Sequence, residues 1–263
     1  MTPGAEQLLR LLLGVAVLLA VSLVVLRVAG VAVGPWGTAP LTAVLRGALQ
    51  LAAVALVLRG VFDHAPALAA GVLAVMLATA VWTASRRLAP LQGLPAALRA
   101  VAVACTAGAL VVLGVVFTVG VLPLSARYAV ALGGIVLGGT MTSATLAGRH
   151  LLTGLHARRD EVEAWLSLGA TPRRAVLDVA REAVRESLVP TLDQTRTTGL
   201  VTLPGAFIGA LLGGASPVDA ARFQLVVLAA LVCTGSVVGV LVTALLGAPR
   251  QLPAATGERW GQR

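Results

Sequence analysis

The sequence contains no lysine; its 20 basic residues are all arginine, against 11 acidic residues. Without lysine there is no P-loop to bind a nucleotide's phosphates, and no Schiff base can form. Any ATP that powers this protein must therefore be bound by another chain. Only 12% of the 263 residues are charged and 58% are hydrophobic, whereas soluble domains carry about a quarter charged residues. This composition predicts a membrane protein with no wettable basic face for nucleic acid.

Cysteine is also scarce. Cys105 and Cys233 each lie alone in an apolar run, which excludes a disulfide framework and a CxxC metal or redox pair. The three histidines, His64, His150 and His156, are not spaced as metal ligands with carboxylate or thiolate partners. The sequence therefore assigns no metal site and no cofactor to this chain.

Seven apolar stretches are long enough to cross a membrane, which takes about 20 residues of helix. They cover residues 8–28, 41–61, 65–84, 100–122, 128–147, 198–213 and 223–247. The expected fold is an all-α polytopic membrane protein, with one transmembrane domain over residues 1–263. The leader 1–10 has no net charge, so we expect the first span to be retained rather than cleaved as a signal peptide.

Arginine distribution predicts the orientation of these spans, because basic residues are retained on the cytoplasmic side. With the N-terminus outside, four of the 20 arginines lie outside and the other 16 inside; the four are Arg10, Arg59, Arg127 and Arg222. The opposite orientation inverts this ratio. The prediction is seven transmembrane helices with the N-terminus outside and the C-terminus in the cytoplasm.

One hydrophilic segment, residues 148–197, holds seven of the 11 acidic residues and eight of the 20 arginines. It predicts a cytoplasmic helix over 160–166, a turn at Gly169, and a second helix from Pro172 to about Val189. Thr171 is suited to cap this second helix and Pro172 to start it. The second helix has one apolar stripe and one charged face, so it either rests on the membrane surface, extends a neighbouring span, or docks a cytoplasmic partner.

The run from Glu163 to Ala170 resembles the Glu-Ala-Ala-x-x-x-Gly coupling motif of bacterial ABC importer permeases, in which a short helix fits a cleft on the ATPase subunit. Trp165 occupies the third position, and the motif's downstream Ile-x-Leu-Pro is missing. The residues assigned to ATPase coupling are Glu161, Glu163, Ala164, Leu168, Gly169, Ala170, Thr171 and Pro172.

Glycines recur at four-residue spacing in three predicted spans, at Gly134 and Gly138, at Gly205, Gly209 and Gly213, and at Gly235 and Gly239. Such GxxxG patterns let helix backbones approach closely. They are equally typical of packing within one chain and of a dimer seam or moving interface. Pro204, next to Gly205, is expected to kink the sixth predicted span.

Over residues 41–246 the sequence resembles one family, the FetB-like permeases of iron-export ABC transporters, whose plant relatives are implicated in aluminium tolerance. The match is carried by ordered motifs: Glu161-x-Glu163-Ala164, Leu168-Gly169-Ala170-Thr171, Pro190-x-x-Asp193, Leu203-Pro204-Gly205, Gly209, Arg222-Phe223-Gln224, Arg46 with Gln50, and Gly138-Gly139-Thr140-Met141.

The resemblance implies a homodimer in the plasma (inner) membrane that exports a metal or related small solute. It also implies two copies of a separate ATPase, which would bind ATP and Mg²⁺. Candidate residues of the substrate path or gate are Arg46, Gln50, Thr140, Met141, Pro204, Gly205, Gly209, Arg222 and Gln224. This chain has Gly139 where the family usually has Asn, and Ala206, Phe207 and Ala210 replace its Met-Met and Gln, so soft and amide ligands for a metal are missing.

Two rival functions are disfavoured by missing residues. A carrier driven by an ion gradient would normally place Asp or Glu within its spans. The predicted spans of this chain contain neither residue. An intramembrane enzyme would need a constellation of catalytic groups at membrane depth. We therefore expect an ABC permease, with the ion-gradient carrier as the alternative. In the expected mechanism, the ATPases push on residues 163–172 and the motion reaches Pro204 and Gly205.

Overall fold

The computed structural model describes residues 3–30, 37–64 and 66–247, and within these ranges it contains ten helices and no strand. The helices are α1 (Pro3–Val28), α2 (Ala39–His64), α3 (Pro66–Gln92), α4 (Leu94–Thr118), α5 (Ala126–Ala157), α6 (Arg159–Ser167), α7 (Pro172–Ala175), α8 (Leu177–Thr197), α9 (Gly205–Leu212) and α10 (Pro217–Leu246). They form two compact units, Met1–Ala65 and Pro66–Arg263.

The first unit contains α1 and α2, two apolar helices of 26 residues each. At 1.5 Å per residue each is about 39 Å long, enough to cross the hydrocarbon core of a bilayer. None of the residues in their most apolar stretches, Arg10–Val28 and Ala39–Leu56, is buried. Within this unit the two helices therefore present apolar surface that suits lipid or protein neighbours.

The second unit is a helix bundle whose directions follow from paired contacts. A Cβ added to Gly133 of α5 would meet Leu73 of α3, and one added to Gly148 would meet Leu88, so α3 and α5 run parallel. α10 is parallel to α5 as well, because Gly139 faces Leu231 and Ala147 faces Gly239. α4 runs in the opposite direction between them: residues 97–105 lie in one buried cluster with the end of α10, and residues 109–116 in another with its beginning.

Six of the described helices, α1 to α5 and α10, are long and apolar enough to cross a membrane. A polytopic all-α membrane protein is thereby confirmed. The predicted sixth span, residues 198–213, is not a continuous helix: α8 ends at Thr197, the chain turns at Gly199 (φ 85°), and α9 has only 8 residues. A helix of that length rises about 12 Å, far short of the bilayer core.

Backbone signals around residues 198–213 explain why this segment is not one continuous helix. Pro204 precedes α9 in an extended conformation. Beyond the last residue of α9 the chain turns at Gly214 (φ 90°). The N–H of Gly214 donates to the carbonyl of Leu211, and the N–H of Ala215 donates to the carbonyl of Ala210. This is a Schellman ending, which glycine favours because it adopts positive φ without strain. A hydropathy profile does not detect either helix boundary, at Pro204 or at Gly214.

The second helix of the predicted cytoplasmic segment also differs from expectation. The chain breaks at Val176 after the four-residue α7, and α8 then continues through Pro190 to Thr197. α8 does not rest apart on the membrane surface. Its apolar stripe packs between α5 and α10. On the α5 side the packing is close: a Cβ added to Gly154 would lie 2.7 Å from Val179 Cγ1, and small residues permit such an approach.

α8 runs antiparallel to both of its neighbours. Val176 lies near Gly247 at the end of α10, Leu188 faces Gly235 at mid-length, and further along α8 Gln194 shares a cavity with Leu231. The GxxxG pair of α10, Gly235 and Gly239, therefore serves packing within this chain. By contrast, Cβ atoms on Gly205 and Gly209 would meet nothing within 4 Å.

Candidate functional site

The predicted coupling motif forms a short exposed helix, α6, that ends at Gly169. The φ of Gly169 is 87°, its N–H bonds the carbonyl of Leu166, and the N–H of Ala170 bonds that of Trp165, both at 3.0 Å. These two bonds are the Schellman ending of a helix, in which a left-handed glycine reverses the chain. The turn predicted at Gly169 is present.

Arginines on the preceding turn hold both glutamates of the motif. Arg158 makes two hydrogen bonds to Glu161, of 2.7 and 2.9 Å, and Arg159 Nε lies 2.7 Å from Glu163 Oε1. The hydrogen bonds and negative charge of Glu161 raise the pKa of Arg158, so this guanidinium stays charged. All four side chains are partly or well exposed, so the pairs orient the carboxylates and add little stability.

Large apolar side chains next to these ion pairs are exposed. Trp165 is 46% exposed, Leu166 37% and Leu168 81%; we call these three residues the docking patch. Clustered exposed apolar side chains on a polar segment are typical of a protein contact. The remaining predicted coupling residues lie beside the docking patch: Ala164, Thr171 and Pro172 are exposed and Ala170 half-buried. Thr171 stands just before α7 but its hydroxyl makes no capping hydrogen bond.

One side chain of α6 anchors the docking patch to the bundle. Val162 is 1% exposed and belongs to the same buried cluster as Leu155 of α5, Val179 of α8 and Leu246 of α10. Because interiors are close-packed, Val162 fixes α6 to the ends of these three helices. We call this end of the second unit the coupling end.

A cavity of about 390 Å³ lies far from the coupling end, between the 198–207 segment and the first half of α10. It brings together two residues that the sequence assigned to the substrate path, Pro204 and Gln224. The complete lining is Thr198, Gly199, Leu203, Pro204, Phe207, Ala221, Gln224, Leu225 and Leu228. We call it the outer cavity.

Gln224 is the notable polar group of the outer cavity. It is 5% exposed, and its Oε1 has no hydrogen-bond partner among the described residues. A buried acceptor without a partner costs free energy, so this oxygen is suited to receive a hydrogen bond from a solute or water. Arg222, two residues earlier, is exposed and pairs with Asp219 at 3.2 Å.

The other predicted path residues lie elsewhere. Gly205 and Gly209 are exposed on α9. Thr140 is fully buried and its hydroxyl donates to the carbonyl of Leu137 at 2.7 Å, while Met141 packs against the buried cluster of the coupling end. Arg46 and Gln50 belong to the first unit, where both are exposed on α2, one turn apart. Of the nine predicted residues, the outer cavity therefore gathers only Pro204 and Gln224.

Sequence reasoning gave the charged face of α8 only a solvated or a docking role. Three ion pairs follow one another along its exposed face: Asp178 with Arg181, Glu182 with Arg185, and Asp193 with Arg196. We call these six residues the charged stripe. The sequence does contain a signal for a longer helix. Val184, Leu188 and Thr191 continue the apolar stripe past Pro190, as expected for the observed helix of 21 residues, about 31 Å long.

Within the described ranges no group of three His, Cys, Asp or Glu side chains is arranged to hold a metal ion. The hydroxyl and amide oxygens near α8 and in the outer cavity are hard ligands. They differ from the soft thioethers of the Met-Met pair that this chain lacks.

Comparison with known proteins shows which family the sequence is similar to. The model of the uncharacterised protein family UPF0014 matches residues 9–251. The UPF0014 membrane protein YjkA of Bacillus subtilis is 31% identical over 205 residues, which is 77% of this chain and 80% of that protein.

Two further relatives have names that refer to a process. The protein ALUMINUM SENSITIVE 3 of Arabidopsis thaliana is 32% identical over 77% of this chain and 73% of its own length. The probable iron export permease protein FetB of Escherichia coli is 31% identical over 73% of each chain. No solved structure matches.

Proposed function

Because this chain belongs to the UPF0014 family of multi-pass membrane proteins, we propose that it is the membrane-spanning permease subunit of an ABC transporter. It exports iron or another metal or small solute, and a separate ATPase subunit powers it. One observation carries the proposal: a short helix with an exposed apolar docking patch is fixed to the ends of three bundle helices through Val162. The printed name of the relative FetB, a probable iron export permease, supports the same function.

In the proposed mechanism, closure of the ATPase subunits pushes on the docking patch. Val162 transmits the push to α5, α8 and α10, because the four elements share one buried cluster. α8 and α10 lead from this cluster to the outer cavity, where Thr198 and Gln224 face the same space. Displacing α8 along α10 would open or close the outer cavity and so give alternating access.

We further propose seven crossings, with α8 in place of the predicted sixth span. α5 and α10 run parallel, so the chain must return between them, and α8 is the long helix that runs back. α8 rises about 31 Å in all; its second half lies within the apolar core, and the 198–204 segment that follows completes the return to the first half of α10. An odd number of crossings retains the predicted orientation, with the N-terminus outside and the coupling end in the cytoplasm.

The proposed assembly is a homodimer of this chain with two ATPase subunits. ATP and Mg²⁺ bind on the ATPases, since this chain has no lysine for a P-loop. No cofactor is assigned to the permease itself.

A second function, the ion-gradient carrier, gains support from one residue. It was disfavoured because the predicted spans contain no Asp or Glu, but Asp193 of α8 is next in sequence to Gln194, which lines a cavity with Gly138 and Leu231. A carboxylate at that depth is what a coupled carrier uses. The two functions differ in whether an ATPase is bound.

Purification of the tagged protein from its native host in mild detergent tests the proposal. We expect a P-loop ATPase in stoichiometric amount with the wild type, and its loss with Glu163→Arg, which reverses a charge beside the docking patch. Glu6→Arg, the same change at an exposed position of α1, is the matched control and should retain the ATPase. If the wild type is recovered alone, the ABC function is wrong and the carrier becomes the leading candidate.

A further inference from the structure

The charged stripe of α8 extends deep into the bundle. On α5 no charged residue occurs between Arg127 and Arg149, a stretch of about 31 Å that marks the apolar core. Ser143, within this stretch, lies close to Gly235, which also faces Leu188 of α8. α8 is therefore already inside the apolar core at Leu188.

The last ion pair of the charged stripe lies deeper still. Thr191 and Gln194 of α8 line a cavity with Gly138 of α5 and Leu231 of α10, which are near the middle of their helices. Asp193 and Arg196 are neighbours of Gln194 on the same helix, with side chains 59% and 74% exposed and 3.4 Å apart. A charged pair thus lies exposed at about mid-depth of the apolar core.

This cavity lies at the same depth, on the side of α8 that packs against α5 and α10. Its volume is about 290 Å³, and its mostly apolar lining includes the hydroxyl-bearing residues Thr142, Ser143, Ser187 and Thr191 and the amide of Gln194. We call it the inner cavity. Pro190 also lines it, and because proline has no N–H, the carbonyl of Glu186 lacks its α-helical partner there.

Charges at mid-depth are expensive when they face lipid, and in membrane proteins they face the bundle interior or a water-filled cavity. The stripe residues of α8 face neither α5 nor α10, whose contacts occupy the opposite side of the helix. We propose that Asp193 and Arg196, the part of the charged stripe beyond Arg185, form the wall of a water-filled path for a small hydrophilic solute. The path connects the coupling end with the outer cavity.

This inference rests on the proposed transport function and names its solute path. Within the described part of the second unit the charged stripe is exposed, so the path needs an opposite wall, which the proposed homodimer supplies. The path does not depend on the energy source, since an ATP-driven permease and an ion-gradient carrier would both need it.

Reaction of single cysteines with a positively charged methanethiosulfonate reagent, in native membranes, tests the path. The background is Cys233→Ala, in which the remaining Cys105 is fully buried. Asp193→Cys and Val189→Cys probe the exposed face of α8. Leu110→Cys is the matched control, because Leu110 lies at similar depth on α4 and is 67% exposed, close to the value for Asp193. Val189→Cys removes no charge and so remains informative if Asp193→Cys fails to fold.

We expect both α8 cysteines to react at least about tenfold faster than Cys introduced at 110, because a thiol in contact with water ionises and one in hydrocarbon does not. Equal slow rates at 110, 189 and 193 would overturn the proposal. So would disulfide cross-linking of two copies through position 193 without modification, which would indicate a dry dimer seam. ATPase recovery from the same membranes is scored separately: fast labelling without an ATPase refutes the proposed ABC function alone, and an ATPase with slow labelling refutes the path alone.

Discussion

Ser187 of α8 lies against Gly239 of α10: a Cβ added to Gly239 would be 3.4 Å from the Ser187 hydroxyl oxygen. Ser187 is 2% exposed, and its hydroxyl already donates to the carbonyl of Val184. The contact therefore needs only a small residue on α10 and no polar partner. It holds α8 in the bundle at the point where the helix enters the apolar core.

Enlarging Gly239 tests this packing. Gly239→Leu is expected to lower stability by about 1–3 kcal/mol, because its side chain overlaps Ser187 and Val184. Gly239→Ala should remain close to the wild type, since its Cβ distances, from 3.4 to 4.0 Å, are those of ordinary contact. Thermal unfolding in detergent measures both. Gly114→Leu, at a helical position with nothing within 4 Å, is the control. A Gly239→Leu protein as stable as the control would contradict the packing of α8 on α10.

Aspartate at two positions of α6 separates anchoring from docking. Val162→Asp places a charge in a buried cluster and should lower the unfolding temperature by several degrees, because an unpaired buried charge is strongly destabilising. Leu168→Asp, at an 81% exposed position, should leave that temperature unchanged yet abolish ATPase co-purification. Unfolding temperature and bound ATPase are measured on the same samples. Retention of the ATPase by Leu168→Asp would remove the docking patch from the coupling interface.

The long apolar helices could be predicted from hydropathy because nothing interrupts them. Of the seven predicted spans, six correspond to helices α1 to α5 and α10. The turn at Gly169 could be predicted too, since glycine after a short amphipathic helix is a local signal. Each of these features depends on residues that are neighbours in sequence.

The missed elements depend on distant contacts. α8 has an average polarity that suggests a surface helix, and only the parallel course of α5 and α10 shows that it runs back through the bundle. The predicted sixth span was apolar enough, but the turn at Gly199 and the extended Pro204 interrupt it, and Gly214 follows the end of α9. In the candidate site, the pairing of Pro204 with Gln224 follows from the fold of the 198–207 segment over α10, which no spacing in the sequence encodes.

The left-handed turn of the coupling end gives a further prediction. Gly169→Val should destabilise the ending of α6 by about 1–2 kcal/mol, because φ of 87° is strained for a residue with a Cβ. Hydrogen exchange of the α6 and α7 amides should rise, and that of α5 should stay unchanged. Gly209→Ala, on a helix with no positive φ and open space around it, should leave exchange in both regions at the wild-type level. Unchanged exchange at α6 in Gly169→Val would mean that the turn does not depend on glycine.

Gln224→Leu separates a structural from a transport role of the outer cavity. The Oε1 of Gln224 is buried and has no partner in the part of the chain that the structure describes, so its replacement by an apolar side chain of similar size should not destabilise the protein and should raise stability by up to about 1 kcal/mol. If this oxygen contacts the solute, efflux of iron from cells loaded with ferrous iron should fall while the unfolding temperature holds or rises. Gln7→Leu, at an exposed position of α1, should change neither. A loss of stability would show that Gln224 has a partner in the fold, whereas unchanged efflux of iron would exclude it from the path of that solute. Only the combination of a stable protein and slower efflux assigns the unpaired oxygen to transport.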